Sequence, residues 1–514
     1  MSRATTYDGE RVRRAITHFI VGKGLSAAAN LTVTVILVRS FTVRDYAAFV
    51  LMMGLVMTLS RVASPGLREV LQRYVPPLIV RRRHQEAGAL MGRLLLLQTA
   101  AVALVAAALL AAAGPLSVAF GYPEYAVSVR LTALLLFSSV VSSFLLLLLE
   151  TLLMQRIVKW LWIGMALVRL GCVAFLAMPG LLDLNALLLV DSAMYLAVCL
   201  PAAAGMVMDR RASRRSPGQE VDDTADRGRM VPFAAWNYML ILSMAFQGSA
   251  MHRILAAGLL PAAVTAPFGL SQNLSDNVER YLPNMLLLNI MRPVFMAGFS
   301  NGRDFGRLNL KANLFFKLNL ALLVPVLAVT ALYGGPLLEW IAGGPMPHAG
   351  SYLLCLVGIL ALDCHNRSLE VLAHAAELPR LLFWGNGFKV LLPLAAATQA
   401  HQFGIWGILF ATGLGCLLRD AYVAVRLRAA GIESRTDWPG WCRLAAAGAT
   451  VWLVMAWWVP EAASPAVLML LSALAVALYI PAAMVCRPFT APEIDLMGLP
   501  PVARRLASRL ERRA

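Results

Sequence analysis

The chain alternates long apolar runs with short polar ones. Windows of about 20 apolar residues are what a helix needs to cross the hydrocarbon core of a bilayer. Such windows, bounded by charge, Pro or Gly, predict spans near 16–38, 45–67, 89–113, 126–151, 160–178 and 184–206. A polar stretch from Asp209 to Arg229 interrupts the pattern. Further spans are predicted near 232–258, 265–290, 308–333, 348–372, 380–398, 403–425, 441–459 and 465–486. Within lipid every backbone polar group needs an internal partner, so such runs cross as helices. Their continuity excludes a β-barrel, whose strands alternate lipid-facing and lumen-facing residues. The predicted fold class is therefore all-α: a polytopic membrane protein of about fourteen transmembrane helices, in two six-helix lobes plus a C-terminal helix pair. The corresponding divisions are an N-terminal lobe over 1–208, a linker over 209–231, a C-terminal lobe over 232–426, helices 13 and 14 within 427–486, and a basic tail over 487–514.

Charge tests this count, because a missed or invented helix would scatter Arg and Lys over both sides. Arg68, Arg73, Arg81, Arg82 and Arg83 share a side with Arg156 and Lys159, with 210–229, and with Arg303 and Arg307. Arg380, Arg426, Arg428, Arg435 and the tail from Arg504 to Arg513 fall on that side too. The facing segments Gly114–Tyr125, Pro179–Asp183, Gly334–Pro347 and Pro460–Pro465 contain no Lys or Arg. Only the tight first turn, with Arg39 and Arg44, dissents. Both termini are expected in the cytoplasm, and the first helix is expected to be an uncleaved anchor.

Composition agrees with a lipid solvent: 59% of residues are hydrophobic and 14% charged. The net charge of +17 would suggest nucleic acid in a soluble protein. Here the basic residues sit between apolar runs, so they report topology, and no nucleic-acid partner is expected. The seven cysteines are scattered without metal-ligand spacing, and neither metal nor cofactor is implied.

An ionisable side chain at bilayer depth marks function by default. Lys23, Arg61, Arg169, Arg253, Arg280, Lys317, Arg367 and Lys389 all fall inside predicted spans. Lys23, Ser26, Asn30 and Thr34 share one face of the first helix, and Gln272, Asp276, Glu279 or Arg280, and Pro283 share a face of the eighth. Asn273, Ser275 and Asn277 make that eighth span the least lipid-compatible of all. Asp363, Arg367, Glu370 and His374 repeat the pattern in the tenth. Asp276 with Arg280, and Asp363 with Arg367, are spaced to pair within one helix. Lys23, Arg61 and Arg253 have no acidic residue nearby on their own helix, which favours a cavity role. A cation-lined aqueous cavity selects anions, and Arg grips phosphate oxygens with a planar fork. His18, His252 and His365 lie in or near spans, and histidine is the side chain whose unperturbed pKa lies nearest neutrality.

The stretch VGKGLSAAANLTVTVILVRSFTVRDYAAFVLMMGLVMTLSRVASPGLREVLQRYVP resembles the start of polysaccharide flippases of the multidrug/oligosaccharidyl-lipid/polysaccharide exporter superfamily. Gly24, Asn30, Arg39, Asp45, Tyr46, Gly66, Leu67, Arg73 and Tyr74 carry the likeness. Ser64 and Pro65 stand where the family often has an Asp, and Ala47 where it often has a Gly. The resemblance implies two lobes that alternate access around a cationic central cavity. The implied cargo is a polyprenyl-pyrophosphate-linked oligosaccharide, carried from the inner to the outer leaflet of the bacterial cytoplasmic membrane for surface polysaccharide synthesis. Membrane lipid and polysaccharide polymerase or export machinery are the partners it suggests. On this view Lys23, Arg61, Arg253 and Arg280 bind the anionic group, while Asn30, Gln247, Gln272 and Asn273 hydrogen-bond the sugar. Asp276, Glu279 and Asp363 are the ion-coupling candidates. The chain has no GxxxxGK[ST] sequence to hold ATP phosphates. The competing readings are a drug or metabolite antiporter of the same superfamily, which usually lacks the extra helix pair, and a membrane glycan polymerase or ligase. The latter usually carries its catalytic residues on a large outer loop, and none is predicted here.

Overall fold

The computed structural model describes residues 9–80, 83–152, 154–213, 227–283, 305–376, 378–432, 434–457 and 464–497. Its helices, in chain order, are α1 (Gly9–Ser40), α2 (Val43–Val62), α3 (Leu67–Val80), α4 (His84–Ala111), α5 (Ala113–Ala119), α6 (Ala126–Thr151), α7 (Gln155–Ala177), α8 (Leu184–Ser213), α9 (Arg227–Ala245), α10 (Gly248–Leu259) and α11 (Ala262–Tyr281). There follow α12 (Phe305–Ala342), α13 (Ala349–Ala375), α14 (Pro379–Ala397), α15 (Ala400–Ala429), α16 (Trp438–Ala456), α17 (Pro465–Cys486) and α18 (Ala491–Leu496). Among the described residues, nine helices are long and apolar enough to cross a membrane: α2, α4, α6, α7, α8, α12, α13, α15 and α17. The other five predicted spans correspond to α1, the α9–α10 pair, α11, α14 and α16. The chain is a polytopic all-α membrane protein. Leu96, Leu104, Leu200 and Phe410 remain 68–76% exposed, as side chains facing lipid do.

The chain divides into two compact units, Met1–Gly258 and Leu259–Ala514. In the first, α6 is the most enclosed of the apolar spans. Leu67, Val70, Leu71 and Val75 of α3 pack with Met91 and Leu94 of α4 and with Phe144, Leu145, Leu147, Leu148 and Leu149 of α6. The α9 and α10 helices belong to this unit, with α9 packed on α2 and α3. Sequence patterning assigns them to the second lobe. In the second unit, Leu369 and Leu372 of α13 pack with Val423 and Leu427 of α15. A separate core joins Val324 and Tyr333 of α12 to Leu444 and Val451 of α16 and to Leu468 and Ala475 of α17.

Three elements differ from the sequence expectation. Residues after Leu67, read as a loop, form α3, whose buried face recurs at helical spacing while Arg68, Gln72 and Arg73 are exposed. The ninth span extends through 334–342, read as an outer segment, so that α12 is 38 residues long, about 57 Å and well beyond a hydrocarbon core. The seventh span is broken at Phe246 and Gln247, where Gly248 takes a left-handed φ of 62°.

The dissenting first turn also has an explanation. Arg44 pairs with Glu124 and lies over the Tyr122 ring at 5.9 Å. Tyr125 donates to Asp45 at 2.7 Å. The α1–α2 turn therefore shares a face with the Lys/Arg-free segment before α6, and Arg44, one of its two arginines, is matched there by a carboxylate.

Candidate functional site

The break between α9 and α10 exposes backbone carbonyls that side chains then satisfy. Gln247 donates its side-chain amide to the Ser243 carbonyl at 2.7 Å, and the Arg61 guanidinium donates to the Met244 carbonyl. A cation at a helix C-terminus is favoured by the aligned peptide dipoles, and Gly248 supplies the left-handed residue that commonly ends a helix. Tyr238 donates to the Val62 carbonyl at 2.8 Å and Gln98 to that of Ala63 at 2.7 Å, capping α2 beside the same junction. Arg253, one turn into α10, is 3% exposed and reaches Ser249 at 3.4 Å. The α2 backbone comes close there: a Cβ on Gly54 would lie 2.9 Å from Cβ of Arg253. Three of the predicted binding residues, Arg61, Gln247 and Arg253, thus meet on or beside one interrupted helix. Irregular backbone at membrane depth is tolerated where it is buried in protein or lines an aqueous cavity.

Asn30 lies on α1 and accepts from Arg169 at 3.5 Å. Arg169 itself is held by Asp191 of α8 through two bonds of 2.7 and 2.8 Å. This forked pair was not foreseen, because spacing along one helix carries no information about partners on another. Lys23 lies in α1, and its side chain is outside those described.

In the second unit the predicted residues enter a network of mixed charge. Asp363 accepts from Lys389 of α14 and, at 3.2 Å, from Arg367 on its own helix. Arg367 also donates to Glu279 of α11 at 2.6 Å, and Gln272 donates to Asp276 at 2.9 Å. Asn277 bonds the Asn273 carbonyl at 3.0 Å, and Arg280 is exposed in the last turn of α11. Arg419, absent from the sequence candidates, lies at the centre of the neighbouring group. With a side chain 1% exposed, it donates to Glu370 at 2.6 Å, Asn366 at 2.7 Å and Asn386 at 2.9 Å. His365 Nδ1 lies 2.7 Å from Asp420 Oδ2. Three cations, Arg367, Lys389 and Arg419, are interleaved with four carboxylates, Glu279, Asp363, Glu370 and Asp420. Among the described residues of the second unit, Arg367, Lys389 and Arg419 are each paired with carboxylates.

Lys317 is likewise structural. Its ammonium is 0% exposed and bonds Asp437, Glu493 at 2.7 Å and the Pro488 carbonyl at 3.1 Å. It ties α12 to the start of α16 and to α18. Asn309 and Asn313 reinforce the junction through the Arg435 carbonyl at 2.8 and 2.6 Å. The three segments that meet here are ones the charge pattern puts on a single side of the membrane.

Several solved structures resemble the chain throughout. An inward-closed lipid II flippase MurJ matches with a TM-score of 0.62 at 11% identity, covering 91% of this chain and 98% of that one. This chain has the fold of that transporter. An inward-facing multidrug resistance MATE family transporter of the MOP superfamily matches at 0.59 and 12% identity, covering 82% and 100% of the two chains. The MATE multidrug transporter DinF-BH matches at 0.56 and 15%, covering 82% and 95%. No known family profile matches the chain, and no curated protein matches it either.

Proposed function

We propose that this protein is a flippase that moves a polyprenyl-pyrophosphate-linked oligosaccharide from the inner to the outer leaflet of the bacterial cytoplasmic membrane by alternating access. The observation that carries this function is the fold shared with a lipid II flippase over 91% of the chain, greater coverage than the drug-transporter structures reach. The helix pair α16–α17, which drug antiporters of the superfamily usually lack, also favours a flippase over an antiporter.

In the first unit, Arg61, Arg253 and Gln247 at the α9–α10 break are the substrate-facing groups. Guanidinium forks suit a pyrophosphate, and a side-chain amide suits sugar hydroxyls. Lys23, Arg280, Asn30, Gln272 and Asn273 remain candidates for the same role. Transport requires no group on this chain to make or break a covalent bond, so the protein acts as a carrier rather than an enzyme. With both termini cytoplasmic, the Lys317 junction lies at the inner face.

The test is complementation of a deletion strain with Arg253→Ala and Arg253→Lys, reading surface polysaccharide and membrane levels of each variant. Loss of export by both variants at normal abundance is expected, since Lys keeps the charge without the fork. Full export by Arg253→Ala would remove Arg253 from the binding site.

A further inference from the structure

The energy source is the part of this function that remains to be assigned. Asp276, Glu279 and Asp363, the carboxylates nominated for it, are committed to Gln272, Arg367 and Lys389. Resting on the carrier function for its role in transport, we propose that the proton-binding site of this protein is the pair formed by His365 on α13 and Asp420 on α15.

The geometry fixes which nitrogen takes the proton. His365 Nδ1 is 2.7 Å from Asp420 Oδ2. With the carboxylate ionised, Nδ1 carries the hydrogen and donates it, which leaves the Nε2 lone pair as the basic site. A proton arriving from water adds to Nε2 and gives an imidazolium whose Nδ1–H still donates to Oδ2. No covalent bond is broken and no co-reactant is consumed. The imidazole side chain keeps 16% of its surface exposed, so the pair is not sealed.

Asp420 is built to receive that charge. Its Oδ1 is buried and makes no hydrogen bond among the described residues, and Arg419 Nη1 approaches it only to 3.8 Å. A buried carboxylate oxygen without a donor is costly, and positive charge on the adjoining ring lowers that cost.

The charged groups around the pair come from α11, α13, α14 and α15. Asp363, Arg367 and Glu370 share α13 with His365, Lys389 comes from α14, Arg419 from α15, and Glu279 from α11. Lys317, beside Phe316 on α12, is committed to Asp437 and Glu493. The thiols of Cys364 and Cys416 ordinarily stay protonated below about pH 8. With His365 neutral, these carboxylates, with Asp276 beside Glu279 on α11, outnumber the cations. Histidine is the member of this group whose ordinary pKa falls in the physiological range.

Aromatic contacts give the proton a structural consequence. The His365 ring stands edge to face with Phe316 of α12 at 5.4 Å and with Trp441 of α16 at 4.7 Å. An imidazolium beside an indole gains a cation–π attraction that the neutral ring lacks. Protonation therefore alters how His365 of α13 meets Trp441 of α16.

The same indole makes the site measurable without the transported substrate, because a protonated imidazole quenches an adjacent tryptophan. Intrinsic fluorescence of the full-length protein in detergent is followed as pH falls from above neutral to mildly acid. Wild type is expected to show an acid-quenched component that is lost in Trp441→Phe and in His365→Gln. Asp420→Asn is expected to move its midpoint down by about one pH unit or more. Gel filtration and helical circular dichroism report folding, and if one variant fails to fold the other two decide. Quenching unchanged in Trp441→Phe or His365→Gln, or a midpoint unmoved in Asp420→Asn, overturns the site.

The transport arm uses the deletion strain. His365→Gln at normal abundance is expected to leave lipid-linked saccharide on the cytoplasmic side, and clearance equal to wild type overturns the coupling role. If the quenching behaves as stated while the deletion strain accumulates no such lipid, the proton site stands and the flippase function falls.

Discussion

Replacing Lys317 with Met tests how the C-terminal helix pair is held. The ammonium is 0% exposed, and Glu493, 2.7 Å away, is 1% exposed on its side chain, while Asp437 is 18% exposed. Met fills much of the same volume, so lost packing contributes less than about 1.5 kcal/mol. Removing the cation, however, leaves one fully buried carboxylate and one partly buried carboxylate without their counter-charge. Breaking a buried pair from one side costs about 3–5 kcal/mol. The triple variant Lys317→Met, Asp437→Asn, Glu493→Gln removes the charges together. It also keeps side chains able to cap α16 and α18, because Asn caps nearly as well as Asp and Gln can replace Glu in a capping box. Unfolding free energy measured by SDS titration of the purified protein should fall by about 3–5 kcal/mol in the single variant, and the triple should recover more than half of the loss. A single variant within about 1 kcal/mol of wild type, or a triple less stable than the single, would refute a desolvated ion cluster at this junction.

Arg419→Met should be among the most destabilising changes in the second unit, about 3–5 kcal/mol by the same titration, since it strands Glu370 and leaves Asn366 and Asn386 without their donor. Gly440→Ala should also destabilise, because the new methyl carbon would lie 2.7 Å from Nζ of Lys317. The added carbon would also meet an Asp437 carboxylate oxygen at 2.7 Å, so its cost should be non-additive with that of Lys317→Met, which a double-mutant cycle measures. The hydrogen bond from Arg44 holds the Glu124 carboxyl below its ordinary value of 4.5. A depressed carboxylate contributes stability above its unfolded pKa and loses it as pH falls through the folded one. A small wild-type advantage over Arg44→Ala at neutral pH should therefore disappear in thermal melts below that range.

Hydropathy places α6 and α17 to the residue, at 126–151 and 465–486, because charge, Pro or Gly bounds both runs sharply. It overlooks α3, since a half-apolar helix carrying Pro76 and Pro77 averages to a loop. It runs through the α9–α10 break, since Phe246 and Gln247 do not lower a 20-residue average. Within one helix, spacing finds the Asp363–Arg367 pair at 3.2 Å. It cannot find Arg169 with Asp191, Lys389 with Asp363, or Lys317 with Asp437 and Glu493, whose partners are 22 to 176 residues away. Those partners turn several apparent cavity cations into internal ion pairs. Arg419 lies inside the predicted 403–425 span, but Asp420 adjoins it on the same helix. It sits two turns before Arg426 and Arg428, so it reads as the flank of a cytoplasmic end.

The most direct measurement is leaflet assignment of lipid-linked saccharide in membranes from a deletion strain, by accessibility to a glycosidase that cannot cross the bilayer, in spheroplasts and in inverted vesicles. A flippase predicts that pyrophosphate-linked oligosaccharide accumulates on the cytoplasmic face and moves outward when the gene is restored. If the lipid-linked units reach the outer face and remain there unpolymerised, the protein acts after translocation and the flippase function is contradicted.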